Sequence, residues 1–276
     1  MCSPRIVQVA HETAQSPGWS RRAWLGAAGL GAVAALSANA TAAAAPERTG
    51  GVVDLTHVLD AELPVWPGNP VFSKVPVAWH DRGGFAQHAL VLWEHTGTHV
   101  DAPLHRVRDG ISVDRIAERD LIAPLVVIDI SARAAADPEA ALSISDITDW
   151  EAAHGAIPAR AFVAMYSGWE HRLAAPATFL NLDAAGRPHA PGFAPEAADF
   201  LVTQRDIVGA GVDTLSLDRA ASTEYGAHTA ILGAGRYGVE MLARLGQVPP
   251  AGATVVVGAP KHAGGTGGPC RVLALT

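Results

Sequence analysis

An eleven-residue segment, 95–105, constrains this chain more than any other part of its sequence. It contains His95, His99, Asp101 and His105, which are three of the chain's twelve histidines and one carboxylate. The spacings of four, two and four residues give these side chains the same parity, so in an extended chain they point to one face. Imidazole and carboxylate ligands together suit zinc, manganese or iron(II). The segment therefore predicts a metal site built on extended backbone.

A helix would also bring His95 and His99 together, because residues four apart share a helix face. The helices of metalloproteases carry a glutamate after the first histidine, whereas Thr96 stands at that position here. The segment also contains a glycine, a proline and several β-branched residues, all of which disfavour a helix. We therefore predict a strand over residues 85–93 that runs into a rigid loop carrying the four side chains.

The first 44 residues have the pattern of a bacterial export signal. The pair Arg21 and Arg22 precedes an uncharged stretch rich in Ala, Gly and Leu, and small residues at 42–44 offer a cleavage site. The apolar stretch is too short for a transmembrane helix. The pattern predicts twin-arginine export to the periplasm or beyond. Residues 1–44 would be the cleaved signal and residues 45–276 one folded domain; a disordered tail and an uncleaved anchor are the alternatives.

The charge balance and the cysteine content limit the classes of binding partner and of cysteine-based site that this chain can have. The formal net charge is −7 for the whole chain and −9 for residues 45–276, which contain no cluster of Lys or Arg. This argues against nucleic acid and leaves a small-molecule substrate as the expected partner, with no stable membrane anchor after cleavage. Cys2 lies in the predicted signal, so Cys270 remains alone and neither an internal disulfide nor a cysteine metal cluster is expected.

Short apolar segments predict a single α/β domain. Seven of them are rich in β-branched residues and bounded by turn residues, as strands are, and two have helix start signals. Because strands outnumber helices and their order is mixed, we expect a mixed β-sheet or open barrel flanked by helices. The predicted strands are Val52–Val58, Phe85–Trp93, Leu125–Ile130, Phe162–Tyr166, Ile207–Leu217, Thr254–Gly258 and Arg271–Leu275, and the predicted helices are Ile147–His154 and Pro195–Gln204.

Further motifs follow in a fixed order along the chain. They are Val53–Thr56, Pro64–Gly68, Gly211–Ser216, His228 with Leu232–Gly235, Glu240, and Gly264–Pro269 with Arg271. Together with segment 95–105 they resemble the metal-dependent cyclase family, which includes bacterial kynurenine formamidases and isatin hydrolases. The resemblance extends over most of residues 45–276 and implies a swivelling β/β/α-like fold.

The resemblance also implies a site for one or two divalent metals, zinc or manganese, in a homodimer or larger assembly. By matching positions, the implied ligands are His95, His99 and Asp101 for the first metal and Asp101, His228 and Glu240 for the second. Asp101 would bridge the two metals, and His105 would transfer protons.

The implied reaction is hydrolysis of a C–N bond in an aryl formamide or a cyclic amide, such as N-formylkynurenine or isatin, by metal-activated water. Kynurenine formamidases act in tryptophan catabolism. His105 would take a proton from water and pass it to the leaving atom. Trp66, Phe85 and Trp93 are candidates for stacking on the substrate, with core packing as the alternative role. The segment 222–225 departs from formamidases and favours the isatin-hydrolase side.

Two other functions remain open at the level of sequence. The same metal and base would serve a lactone hydrolase or a cyclase acting on a polyketide-like substrate. A protein of the cell exterior that binds a metal or ligand without turnover is the alternative of another class. A hydrolase with a serine nucleophile is disfavoured, because the chain contains no Gly-x-Ser-x-Gly motif.

Overall fold

A computed structural model describes residues 50–276, which contain thirteen strands and six α-helices. The strands are β1 (Val52–Asp54), β2 (Ser73–Ala78), β3 (Gln87–Val91), β4 (His99–Asp101), β5 (Ile122–Asp129), β6 (Ala141–Leu142), β7 (Phe162–Tyr166), β8 (Gly192–Phe193), β9 (Gly209–Val212), β10 (Tyr237–Glu240), β11 (Ala253–Gly258), β12 (Gly267–Pro269) and β13 (Arg271–Leu275). The helices are α1 (His80–Gly83), α2 (Ser131–Ala136), α3 (Ile144–His154), α4 (Pro176–Leu180), α5 (Pro195–Gln204) and α6 (Gly226–Gly233).

Nine of these strands form one mixed sheet, in the order β1-β13-β11-β5-β7-β9-β10-β4-β12. The neighbours β5, β7, β9 and β10 run parallel, and the remaining pairs of the large sheet are antiparallel. The sheet curls into a half-barrel with helices packed on it. This confirms the predicted α/β domain with a mixed sheet or open barrel.

The central strands are buried on both faces. In β5, Val126 and Ile128 belong to the apolar cluster that includes the helices, whereas Leu125 and Val127 belong to the cluster on the opposite face. The sequence of such a strand is a continuous run of apolar residues, as is typical of buried parallel strands. This is why β5 and β7 were recognisable from the sequence.

The helix α3 begins three residues earlier than the sequence predicted. The Ser143 side chain accepts a hydrogen bond from the Asp146 backbone N–H, and the Asp146 carboxylate accepts one from the Ser143 backbone N–H at 2.7 Å. This reciprocal capping box satisfies two of the free N–H groups at the helix start. Ser143 is therefore the cap of α3, whereas α5 has the predicted bounds.

The strands β2 and β3 form a two-stranded antiparallel hairpin that pairs with no other strand of the described residues. We call residues 71–93 the hairpin arm. Of the thirteen large apolar side chains that are exposed in the described residues, eight lie on this arm. They are Val71, Val75, Val77, Trp79, Phe85, Leu90, Val91 and Trp93. The arm is therefore a strongly apolar surface.

The predicted export signal, residues 1–44, and Cys2 within it lie outside the described residues. Cys270 is a free, buried cysteine on the inner part of the sheet. None of the helices in residues 50–276 is both long and apolar enough to cross a membrane.

Candidate metal centre

The short strand β4 places His99 and Asp101 on one buried face of the sheet. Its neighbour β10 runs antiparallel with Glu240 directly opposite His99, and opposite residues in such a pair share a face. As a result His99 Nε2 lies 3.3 Å from Asp101 Oδ1 and 3.4 Å from Glu240 Oε2. The extended backbone predicted from the spacing is therefore present at His99–Asp101.

Two glycines make room around Asp101. Gly238 of β10 and Gly267 of β12 face it from the two neighbouring strands. A Cβ at Gly267 would lie 2.3 Å from the Val100 carbonyl oxygen and 2.8 Å from the His95 ring, which no side chain tolerates. The space lets His95 approach from the loop before β4, so that its Nδ1 lies 2.6 Å from Asp101 Oδ1.

The helix α6 contributes His228. Its Nε2 lies 3.4 Å from Asp101 Oδ2 and 3.2 Å from Glu240 Oε1. Its Nδ1 lies 2.6 Å from Asp218, whose carboxylate also accepts the backbone N–H groups of Ala227 and His228. Asp218 therefore both caps the start of α6 and orients the imidazole, a role that sequence reasoning missed.

His105 ends a single 3₁₀ turn, Pro103–His105, and faces the same point. The centre of its ring lies 3.9 Å from that of His95 and 6.0 Å from that of His228. Although its side chain is exposed, protein atoms on several sides desolvate it, and this lowers the pKa of His105 despite the nearby Asp101 carboxylate. The structure thus brings all six predicted polar residues together.

The ionised carboxylates of the site favour binding of a cation. Burial opposes ionisation of Asp101, but its contacts with His228, His95 and His99 outweigh burial and hold its pKa well below the ordinary value. The pKa of Glu240 is also lowered, by His228 and His99 against burial. Burial likewise opposes protonation of His99, and the two carboxylates outweigh it and raise its pKa to about 10. A proton and a metal cation would compete for the same imidazole nitrogen.

Two buried atoms without a hydrogen-bond partner show that the residues fit a divalent metal. They are His99 Nε2 and Asp101 Oδ2. His99 Nδ1 contacts the Gly97 carbonyl oxygen at 2.8 Å, and because a carbonyl can only accept, Nδ1 carries a proton and Nε2 is the nitrogen at which a metal would replace the second proton. Two sets of three donor atoms, each within 4.8 Å of one another, share Asp101; they are His95, Asp101 and His105, and His99, Asp101 and Glu240.

All the donor residues except Asp101 line a cavity of about 420 Å³. Its other walls are mainly apolar and aromatic, as is usual for small-molecule sites. The lining residues are Pro64, Val65, Trp66, Asn69, Trp93, His95, Gly97, His99, His105, Arg106, Leu215, Ser216, Tyr225, His228, Glu240 and Met241.

Two of the three aromatic residues predicted to contact the substrate lie at the cavity. Trp66 and Trp93 line the cavity. Phe85 does not, because it lies beyond α1 on the hairpin arm, where it is 55% exposed. Sequence reasoning also missed Arg106 at the cavity wall, for which the only signal was its place next to His105.

Comparison with known proteins identifies the family of this chain. Residues 53–219 match the Cyclase family. The chain is 38% identical to the isatin hydrolase of Roseibium aggregatum, covering 81% of this chain and 91% of that protein. It is 28% identical to the kynurenine formamidase of Delftia acidovorans, covering 64% of this chain and 75% of that protein.

A solved isatin hydrolase bound to the product analogue thioisatinate has the same fold. It superposes with a TM-score of 0.78 at 34% identity, covering 82% of this chain and 92% of that one. The motif at 95–105, the buried donor set and the family match agree. The chain belongs to the Cyclase family of metal-dependent hydrolases.

Proposed function

We propose that this chain opens the C–N bond of an aryl amide, with a cyclic amide of the isatin type as the first candidate and an aryl formamide as the second. The observation that carries the proposal is a buried set of imidazole and carboxylate donors at the floor of a cavity walled by Trp66 and Trp93. The higher identity to an isatin hydrolase than to a kynurenine formamidase supports this order of candidates.

The proposed metal ligands are His95, His99, Asp101, His228 and Glu240. Nitrogen and oxygen donors without sulfur suit zinc or manganese, as one or two ions. When bound, a divalent cation supplies Lewis acidity that lowers the pKa of water towards about 7 and polarises a carbonyl oxygen.

The remaining steps belong to the side chains of the cavity. The indole rings of Trp66 and Trp93 hold the aryl group by stacking and exclude water from it. Desolvation keeps His105 neutral near pH 7, so an imidazole nitrogen is free to accept a proton. We assign to it the proton of the attacking water, which it returns to the leaving nitrogen.

The test is a hydrolysis assay of purified, metal-loaded protein with isatin, N-formylkynurenine and an aryl lactone. We expect ring opening of isatin that is lost with a chelator and restored by zinc or manganese. His105→Ala should lower kcat by roughly 10²- to 10⁴-fold, the usual contribution of a positioned acid–base group. The matched control is His154→Ala, an exposed histidine at the end of α3, which should leave kcat unchanged.

Three outcomes of this assay would contradict the proposal. Preferential hydrolysis of the lactone would favour a lactone hydrolase or a related cyclase. Tight metal binding without turnover of any substrate would favour a protein that only binds metal or ligand. An unchanged kcat in His105→Ala would remove His105 from the mechanism.

We also infer that the chain self-associates through the hairpin arm. The eight exposed apolar side chains of the arm are each roughly half exposed. Together they offer on the order of 800 Å² of surface, which is one side of a standard protein interface. A two-stranded hairpin is marginally stable by itself in water, so a covering partner would also stabilise the arm.

Export by the twin-arginine route stays a prediction from residues 1–44. Its test is the N-terminal sequence of protein recovered from outside the cytoplasm. A mature chain that begins near residue 45 would support the prediction, and a retained N-terminus would contradict it.

A further inference from the structure

Arg106 projects its guanidinium at the wall of the cavity and is held there by three contacts. Its Nε donates to Thr229 Oγ1 at 3.3 Å, and its Nη2 donates to the Glu224 carbonyl oxygen at 3.1 Å. Its guanidinium carbon lies 5.2 Å from the centre of the Tyr225 ring. An exposed arginine usually samples many rotamers, whereas these contacts keep the planar group in one orientation.

The charge of Arg106 is left without a counterion. Within residues 50–276 it forms no ion pair, whereas Arg133, Arg205 and Arg271 each bind a carboxylate. Its Nη1 makes no hydrogen bond to any described residue. Arg106 is also the one lysine or arginine among the described residues that line the cavity. The outer cavity therefore presents a fixed cation with one free edge in a chain of net charge −7.

Tyr225 contacts both this cation and one member of the donor cluster. It is the residue before α6 and holds a left-handed backbone conformation with φ of 53°. A non-glycine residue persists there only where its surroundings demand it. Its ring neighbours both the Arg106 guanidinium, at 5.2 Å, and the His228 ring, whose centre is 6.1 Å from that of Tyr225. Arg106 therefore shares the cavity with the donor cluster without belonging to it, so a group bound by Arg106 would be a part of the substrate other than the scissile amide.

We propose that Arg106 determines specificity by binding an anionic substituent of the substrate, and that the preferred substrates are aryl amides with a carboxylate across the ring from the scissile amide. A guanidinium pairs with a carboxylate through parallel N–H groups, which gives both affinity and orientation. This inference rests on the proposed amide hydrolysis and names its substrate class. Neutral isatin itself would use only the metal centre and the aromatic walls.

The test compares isatin with isatin-5-carboxylate in the wild-type chain and in Arg106→Gln. We expect Arg106→Gln to raise KM for the carboxylate roughly 10- to 100-fold, the usual value of a charge-assisted hydrogen bond, and to leave kcat within about twofold. Both constants for isatin should stay within about twofold. The matched control is Arg108→Gln, an exposed arginine two residues further on that does not line the cavity.

Arg106 could bind either a carboxylate substituent of the substrate or the carboxylate that hydrolysis creates. Isatin separates these two cases, because it has no carboxylate itself but its hydrolysis product has one. A fall in kcat for isatin in Arg106→Gln would mean that Arg106 acts on the product carboxylate, which would overturn the proposal. Equal changes in KM for both substrates, or no change for either, would overturn it as well. Arg106→Lys provides a second variant, with an expected KM between those of the wild type and Arg106→Gln.

A binding measurement keeps this inference separable from the proposed function. Trp66 and Trp93 line the cavity, so tryptophan fluorescence of the metal-loaded chain can report binding of benzoate and of neutral benzamide. We expect Arg106→Gln to raise the Kd of benzoate and to leave the Kd of benzamide unchanged. If no amide is hydrolysed but Arg106→Gln weakens the binding of benzoate alone, the anion site is supported and the proposed reaction is contradicted. If benzoate and benzamide respond alike, the anion site fails whatever the activity.

Discussion

At the scale of single residues, three imidazoles of the donor cluster, those of His95, His99 and His228, are each held by a partner on the second ring nitrogen. His99 donates to the Gly97 carbonyl, and His95 Nε2 lies 3.1 Å from Thr266 Oγ1. His228 Nδ1 faces Asp218. Such partners fix the tautomer and the ring orientation of metal-binding histidines. The geometry of the site therefore depends on groups that are not themselves proposed metal ligands.

Asp218→Asn tests this dependence. The amide keeps one acceptor oxygen but cannot accept from His228 Nδ1 and both backbone N–H groups, so we expect the zinc Kd to rise roughly 10- to 100-fold. Calorimetric titration of the metal-free protein measures it, with Asp199→Asn on the exposed face of α5 as the control. An unchanged zinc Kd would contradict the orienting role of Asp218 and leave it only the role of capping α6.

The donor cluster was only partly predictable from the sequence. His95, His99, Asp101 and His105 share a parity that points them to one place, and the spacing alone revealed them. The placement of Glu240 opposite His99 depends on the pairing of β4 with β10. These two residues are 141 positions apart in the chain, and no local pattern encodes their pairing. Glu240 and His228 therefore came from family resemblance, and Asp218 and Arg106 from the structure.

At the scale of elements, one buried carboxylate ties the end of β7 to the segment after β9. Asp213 accepts hydrogen bonds from the Ser167 backbone and hydroxyl and from the Trp169 backbone. The turn between them contains Gly168 with φ of 71°. Full burial outweighs these hydrogen bonds and raises the pKa of Asp213 to about 6.

This shifted pKa predicts a pH-dependent stability. Because the folded value of about 6 exceeds the unfolded value of 3.8, Asp213 contributes fully below pH 3.8 and loses its contribution as pH rises through 6. We expect the free energy of unfolding of the wild type minus that of Asp213→Asn to fall by about 2–3 kcal/mol between pH 3.5 and 7. Urea unfolding of both chains with a chelator present measures it. A difference independent of pH would contradict the assignment.

The sequence predicts some strands and helices better than others, because only some of them carry a clear local pattern. The bounds of β7, β13 and α5 agree with the prediction, because long apolar runs and a proline at the helix start mark them. β4 and β10 have three and four residues, too few for a periodic pattern to emerge. These two short strands carry three of the donors, so the site lies where local pattern is weakest.

At the scale of the whole molecule, the hairpin arm is the surface least suited to water. The triple variant Val75→Thr, Val77→Thr and Leu90→Thr makes the arm more polar and places a β-branched residue, which suits a strand, at all three positions. We expect sedimentation velocity to give twice the monomer mass for the wild type and the monomer mass for the triple variant. Val58→Thr with Leu182→Thr, exposed positions outside the arm, is the control that should stay a dimer. A monomeric wild type would contradict the inference.

The central claim is that the cluster around Asp101 is a divalent metal centre, and metal content measures it most directly. Asp101 lies within 3.4 Å of nitrogen atoms of His95, His99 and His228 and belongs to both donor sets. After loading with zinc and gel filtration, elemental analysis should find at least about one equivalent in the wild type and less than about a tenth in Asp101→Asn. A wild type without retained metal, or equal metal in both chains, would contradict the claim.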